Sequence, residues 1–230
     1  MRAGTDEGFQ SEILNGIPGI AHGFGGWGAP IPKQLISIWN AQKPQWKQNH
    51  GTHLAQVLFP GQACGEVDAL WTARDQGWVG VVTADCLPIL MAARDGSAVA
   101  AIHSGWRGTL ARIVEKTWLS LRESGHDPKN WVAAIGPCIQ SCCFEVGEDL
   151  QERFVHEFCP AVPSKLLNPR FRHLDLSALT RVLLENLEIH SVEVLPQCTR
   201  CSTDSSRQPL FHSYRREGGG TRQLSVIGRV

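Results

Sequence analysis

The chain has 230 residues and a mass of 25.3 kDa, with 42% hydrophobic and 19% charged residues, which excludes an extended disordered chain and allows one substantial core. Lys+Arg and Asp+Glu number 22 each, so the formal charge is zero and no bulk electrostatic drive exists toward nucleic acid or an acidic membrane surface. Eight Cys and nine His stand beside eight Trp, one Tyr and two Met, so soft nitrogen and sulfur ligands are plentiful.

The opening MRAGTDEGFQSEIL has no apolar run and carries acids where a signal peptide wants bases. No stretch of about 18 apolar residues follows, and VGVVTADCLPILMAA is broken by Asp85 and Pro88. A cytoplasmic setting with reduced thiols is expected, with the cysteines as core residues, ligands or nucleophiles. The Gly/Pro-rich segment 23–32 predicts a loop. Residues 79–83 and 98–102 predict buried strands, and 87–92 a third with Pro88 near its start, where a missing N–H is tolerated. Leu110, Ile113, Val114, Thr117, Trp118 and Leu121 have helical spacing, stopped at Gly125. Residues 131–135 predict a strand and 148–158 a helix. Asp175 is a candidate cap for a helix whose face carries Leu176, Leu179, Val182, Leu183 and Leu187, and 192–195 and 223–227 are late strands. Helices and strands intermix without a dividing linker, which predicts one α/β or mixed α+β domain over residues 1–230.

Polar residues concentrate at the ends of the apolar runs, where a rigid sheet positions them and loops leave room for substrate. Gln48-Asn49-His50-Gly51, Ala84-Asp85-Cys86 and His103-Ser104-Gly105-Trp106-Arg107-Gly108 are these stretches. His50, Cys86 and His103 form a candidate His-Cys-His metal set with an open fourth position, His53 being a substitute for His50 if that segment is helical. Read from spacing alone, satisfied core residues are the commoner outcome for His103 and Cys86. Arg107 at a Gly-flanked helix start suits an anion or pairs with an acid. GPCIQSCCFEVG holds Cys138, Cys142 and Cys143; Cys138 and Cys142 read as half a metal site without a matching second pair. The turn at Gly136 offers backbone amides to a ligand or simply packs closely. Cys198-Thr-Arg-Cys201 reads as a structural or incidental pair, and Arg215 or Arg216 reaches toward an anionic substrate.

In order along the chain, QNHG, TADCLPIL, AIHSGWRGTLARI, AIGPCIQSCCFEVG, HLDL and FHSYRREGGGTRQ closely resemble the laccase-domain, or multicopper polyphenol oxidase, family, also named peptidoglycan editing factor and purine nucleoside phosphorylase. The resemblance runs from about residue 17 to the C-terminus. It implies a single α/β domain similar in layout to the cytotoxic necrotizing factor catalytic domain. It implies Zn²⁺ at His50, Cys86 and His103, with Arg107 beside the metal. It implies phosphorolysis of adenosine, inosine, guanosine and methylthioadenosine, with adenosine deamination alongside. Two departures stand out: Asn49 replaces an apolar residue, and His22-Gly23-Phe24 runs into GGWGAPIP without the family's early arginine.

A multicopper oxidase needs His-x-His pairs, and this chain has none, which argues against laccase chemistry and leaves copper as a less favoured ion than zinc. The expected catalytic residues are Cys86, His103, Asp85 and Arg107, with Asp85 either assisting the departing base or orienting a ligand histidine. Gln48, Asn49, Ser104, Gly136, Phe144 and Arg215 are the candidate substrate-binding residues. The alternative is an amide hydrolase that edits a cell-wall (UDP-muramoyl-peptide) precursor, with Cys86 as nucleophile and His103 as base. A non-catalytic binding role is the third class. Expected partners are a nucleoside and phosphate, with neither nucleic acid nor membrane, on a monomer or small homo-oligomer.

Overall fold

The apolar runs predicted as strands are the spine of a layered fold in the computed structural model, which describes residues 8–159 and 161–230; the first seven residues of the N-terminal reading lie outside these. In chain order the elements are α1 (Glu12–Asn15), β1 (Ile20–Phe24), α2 (Ile36–Gln42), β2 (Gln45–Lys47), β3 (Leu54–Gln56), β4 (Ala63–Glu66), β5 (Ala69–Thr72), β6 (Trp78–Thr83), β7 (Leu87–Ala93) and β8 (Val99–Ser104). They continue with α3 (Trp106–Leu110), α4 (Ile113–Glu123), β9 (Trp131–Ile135), α5 (Glu148–Phe158), α6 (Ser164–Leu167), α7 (Leu176–Asn186), β10 (Ser191–Val194), α8 (Tyr214–Glu217) and β11 (Gln223–Arg229). The mixed α/β expectation holds.

A six-stranded sheet runs β10-β9-β7-β8-β5-β3, a three-stranded sheet β1-β11-β6, and β2 pairs with β4. In β7 successive side chains point to opposite faces. Leu87, Ile89 and Met91 pack with Trp118 and Leu121 of α4 and Leu179 and Leu183 of α7. Leu90 and Ala92 pack with Val79 and Val81 of β6 and Ile227 of β11. Both faces of β7 are therefore covered, which is why its sequence is a continuous apolar run rather than an alternation. Asp175 caps α7 by accepting from the Ala178 amide at 2.8 Å.

Two expectations change. The helix read from Leu110 is two helices, because Arg112 takes a left-handed φ of 65° and breaks the chain between α3 and α4. Its predicted stop is real: Gly125 at φ 90° accompanies amide bonds from Gly125 to Arg122 and from His126 to Leu121. The loop read at 23–32 starts only after Phe24, since Gly23 and Phe24 pair with Val226 and Ser225. The pairing residues are 200 positions downstream in sequence, and local composition does not reveal such a partner. Among the described residues no helix is long and apolar enough to cross a membrane.

Candidate active site

Cys86 sits at the entry to β7 and His103 near the end of the adjacent β8, where Pro88 and His103 are paired in register. That register brings the thiol beside the imidazole. Behind His103 lies Asp68, between β4 and β5, with its side chain wholly buried. Asp68 accepts from His103 Nδ1 at 2.7 Å, and its backbone carbonyl accepts from the His103 amide at 2.7 Å. The same carboxylate accepts from the His50 amide at 3.0 Å, the Gly51 amide at 2.7 Å and the Asn49 amide at 3.3 Å. One acid thus sets both the imidazole and the loop that presents His50, whose backbone is held at φ 62°. The His50 and His103 rings lie 4.8 Å apart at 75°. One donor atom from each of His50, Cys86 and His103 lies within 4.8 Å of the others.

The electrostatics follow from this wiring. Burial acts to raise the Cys86 thiol, but hydrogen bonds from His103 and His50 outweigh it and bring it down to about 6. Burial acts to lower His103, yet Asp68 and Cys86 raise it to about 9. Burial also opposes the charge of Asp68, and bonds from His103 and the Gly51 and Asn49 amides hold the carboxyl below its usual value. These shifts favour a thiolate beside an imidazolium around neutral pH. A thiol and imidazole so coupled can act chemically as a nucleophile and its acid–base partner.

The set opens into a cleft of about 1070 Å³. Arg107, Arg172, Arg215 and Arg222 line it, with apolar wall from Trp106, Phe144 and Leu176. Arg107 stacks on Trp106 at 4.3 Å from the ring centroid. Arg215 donates Nη1 to the Glu145 carbonyl at 3.0 Å and lies 5.7 Å from the Phe144 ring centroid. Gly105 is required for space. A Cβ there would stand 2.8 Å from Cys86 Sγ and 3.1 Å from His50 Cδ2.

The structure brings together His50, Cys86, His103, Arg107, Phe144 and Arg215; Asp85 and Gln48 line the same cleft with polar atoms engaged elsewhere, and Asn49, Ser104 and Gly136 lie outside its lining. His53 is not in the donor set, because residues 50–53 are not helical. Asp85 does not orient a histidine; it accepts from Thr199 Oγ1 at 2.6 Å and the Arg215 amide at 2.7 Å, clamping the cleft wall. Gln48 lines the cleft, but its amide bonds both the N–H and the C=O of Val82. Ser104 is fully buried against Thr109 Oγ1 at 2.9 Å. Gly136 packs under Phe24, where a Cβ would meet the ring at 2.2 Å. Asn49 turns away to Glu66 at 3.1 Å. Arg107 has no long helix behind it, since α3 has five residues. Sequence reasoning missed Asp68, Arg172 and Arg222; an acid directly before the apolar ALWT was the available signal for Asp68.

The zinc expectation is corrected. The described residues hold a second donor group, Cys142, Cys143, Cys198 and Cys201, that is all sulfur. Soft thiolates and imidazoles bind copper at least as well as zinc, so nothing in either donor set selects zinc. Residues 33–230 match the family model described as multi-copper polyphenol oxidoreductase laccase, a description that names copper. The chain is 36% identical over 183 residues to a Deinococcus radiodurans protein named purine nucleoside phosphorylase, spanning 79% of this chain and 68% of that one. It is 32% identical over 202 residues to the Escherichia coli K12 purine nucleoside phosphorylase YfiH, spanning 85% and 78%. A Neisseria meningitidis crystal structure superposes with a TM-score of 0.73 at 27% identity, covering 86% of this chain and 79% of that one.

Proposed function

Because the chain belongs to the multi-copper polyphenol oxidoreductase laccase family, we propose that its cleft is the active site of a hydrolase or transferase worked by Cys86, His103 and Asp68. The observation that carries this is His103, bonded to Asp68 at Nδ1 and polarising Cys86 on its other side. The same residues fit a metal ion: His50, Cys86 and His103 converge, and Gly105 keeps the space beside them clear. An ion bound there supplies Lewis acidity to a substrate oxygen or nitrogen.

The site geometry supports amide hydrolysis best. The Cys86 thiolate attacks the carbonyl carbon, the C–N bond breaks, and His103 gives its proton to the departing amine. Water then opens the thioester, with His103 taking the proton and Asp68 holding the ring in one orientation. An amide of a nucleotide-linked cell-wall precursor suits the four arginines of the cleft, which match its phosphates. A cytoplasmic location, where thiols stay reduced, accords with this reading.

A second reading is phosphorolysis of a purine nucleoside. It is favoured by the names of the relatives and by the same arginines, which suit inorganic phosphate beside an apolar wall for the base. Here phosphate bonds to the ribose C1′ as the bond to the purine breaks, and the purine nitrogen takes a proton.

One assay separates them. Purified protein is offered adenosine, inosine, guanosine and methylthioadenosine with and without phosphate, and a UDP-muramoyl-peptide bearing a wrong amino acid. Amino-acid release, lost in Cys86→Ala, supports the hydrolase. Free purine only with phosphate supports the phosphorylase, and inosine from adenosine reports deamination. Turnover unaffected by Cys86→Ala sinks the Cys86 hydrolase, and purine release that does not depend on phosphate sinks the phosphorylase.

A further inference from the structure

The four cysteines outside the cleft come from two turns. Cys142 and Cys143 follow β9 in a turn closed by the Cys143 and Phe144 amides on the Gln140 carbonyl, both at 2.9 Å. Cys198 and Cys201 lie in a turn closed by the Ser202 amide on the Cys198 carbonyl at 3.0 Å. A parallel bridge between Cys138 and Cys198, with Thr199 N–H on the Cys138 carbonyl at 3.0 Å, lays the second turn beside the first. The result is four thiols within 4.8 Å of one another, contributed from positions 59 apart across the Cys142–Cys201 contact.

Three features distinguish this from cysteines that merely pack. First, Cys142 Sγ lies 3.7 Å from both Cys143 Sγ and Cys201 Sγ. A first-row ion with metal–sulfur bonds of about 2.3 Å in a tetrahedron holds its thiolates about 3.8 Å apart. Second, a backbone amide is turned on sulfur: Gln140 N–H donates to Cys198 Sγ at 3.4 Å. Such a donor stabilises sulfur in its anionic, metal-binding form and fixes the ligand's direction. Third, Arg200 lies within the Cys198–Cys201 turn itself, so the loop that presents two of the thiols also carries a positive charge. Cys143 and Cys198 are buried while Cys142 and Cys201 are exposed, so the group has an open entry side.

We propose that Cys142, Cys143, Cys198 and Cys201 form a second metal site, separate from the cleft, that takes a soft, thiophilic first-row ion through sulfur alone. Binding replaces each ligating S–H by a metal–sulfur bond, releases the proton to solvent, and changes no oxidation state when the ion arrives reduced. The site is a staple between two walls of the cleft. Phe144 follows Cys143 and lines the cavity, and Thr199 follows Cys198 and holds Asp85.

Copper(I) is the probe, because it is soft and prefers thiolates. Full-length protein, reduced and freed of metal under anaerobic conditions, is titrated against the copper(I) chelator bicinchoninate. Wild type is expected to withdraw one more equivalent than the Cys142→Ser/Cys201→Ser double variant, and Cys86→Ser is expected to keep that equivalent. X-ray absorption of the His50→Ala/Cys86→Ser variant, which lacks two donors of the cleft, loaded with one equivalent is expected to show a sulfur-only shell. Metal analysis of protein purified without chelator then names the resident ion, and any thiophilic ion lost in the double variant supports the site. Equal copper uptake by wild type and double variant overturns the proposal. So does an imidazole signature in the absorption spectrum, or a Cys142–Cys201 disulfide with no ion withdrawn. Single Cys201→Ser and far-ultraviolet dichroism guard against loss by misfolding.

Discussion

The two donor clusters differ in what stands behind them. Behind His103 is the buried carboxylate of Asp68, and in front of Cys86 is a cavity with four arginines. In the cysteine cluster the Gln140 amide is turned on Cys198 Sγ, and Arg200 lies in the turn between Cys198 and Cys201. The first arrangement separates charge between a thiolate and an imidazolium. The second gathers four like donors, the set proposed to take a soft cation. Soft ligands become reactive when an acid–base partner and open space adjoin them, and structural when only amides do.

The largest expected effect tests that contrast directly. Cys86→Ala should lower turnover by about a thousandfold or more, whereas Cys201→Ala should leave it within about twofold, both read as kcat/KM on the substrate the assay identifies. Comparable losses in both would erase the distinction. Next, Asp68→Asn should cost roughly a hundredfold and move the alkaline limb of the pH profile downward, because the imidazolium loses its counter-charge. A loss with an unmoved limb would reduce Asp68 to a scaffold for the 49–51 loop.

The pH profile itself should be a bell. Activity rises as the Cys86–His103 pair becomes thiolate–imidazolium above about 6 and falls as that pair loses its second proton above about 9. The acid limb has to be separated from unfolding. His22 is held down to about 4 by burial, partly countered by Glu193, with Nε2 accepting from the Ser11 amide. Its folded pKa lies below its unfolded value, so its contribution is complete above the ordinary value of 6.5 and is lost progressively as pH falls toward 4. That loss is about 3 kcal/mol at most, measurable by denaturant titration at pH 7 and pH 4.5. His22→Gln should flatten this slope without moving the activity limb near 6. The smallest effect is Arg215→Ala, which should raise KM roughly fivefold to tenfold with little change in kcat if the guanidinium contacts an anionic substrate. An effect confined to kcat would place its role elsewhere.

Much of the scaffold was legible in the sequence because it is local. The β7 run, the α4 face, the Gly125 stop and the Asp175 cap are all written within a dozen residues. The His-Cys-His set was a candidate from the motifs ending two apolar strands, but spacing alone favoured satisfied core residues, and the family resemblance carried it. Asp68 was not, because its importance comes from the β5–β8 pairing, which no local pattern shows. The cysteine cluster escaped for the same reason. Cys138 and Cys142 looked like an unmatched half site, while the halves of the proposed site are Cys142–Cys143 and Cys198–Cys201, brought together by a Cys138–Cys198 bridge across 60 positions. Gly136 and Ser104 were misread in the opposite direction: small and polar residues at strand ends also serve packing and internal bonding.

The clamp on Asp85 carries a consequence for the order of events during synthesis. Its two donors, Thr199 and Arg215, lie 114 and 130 positions downstream, and β6, which leads into it, finds its sheet partner only in β11. A ribosome delivers Cys86, His103 and Asp68 long before it delivers these supports. The pairings that set Cys86, His103 and Asp68 close within residues 68–104, whereas the cleft wall clamped by Asp85 is completed only after residues 199 and 215 have been made.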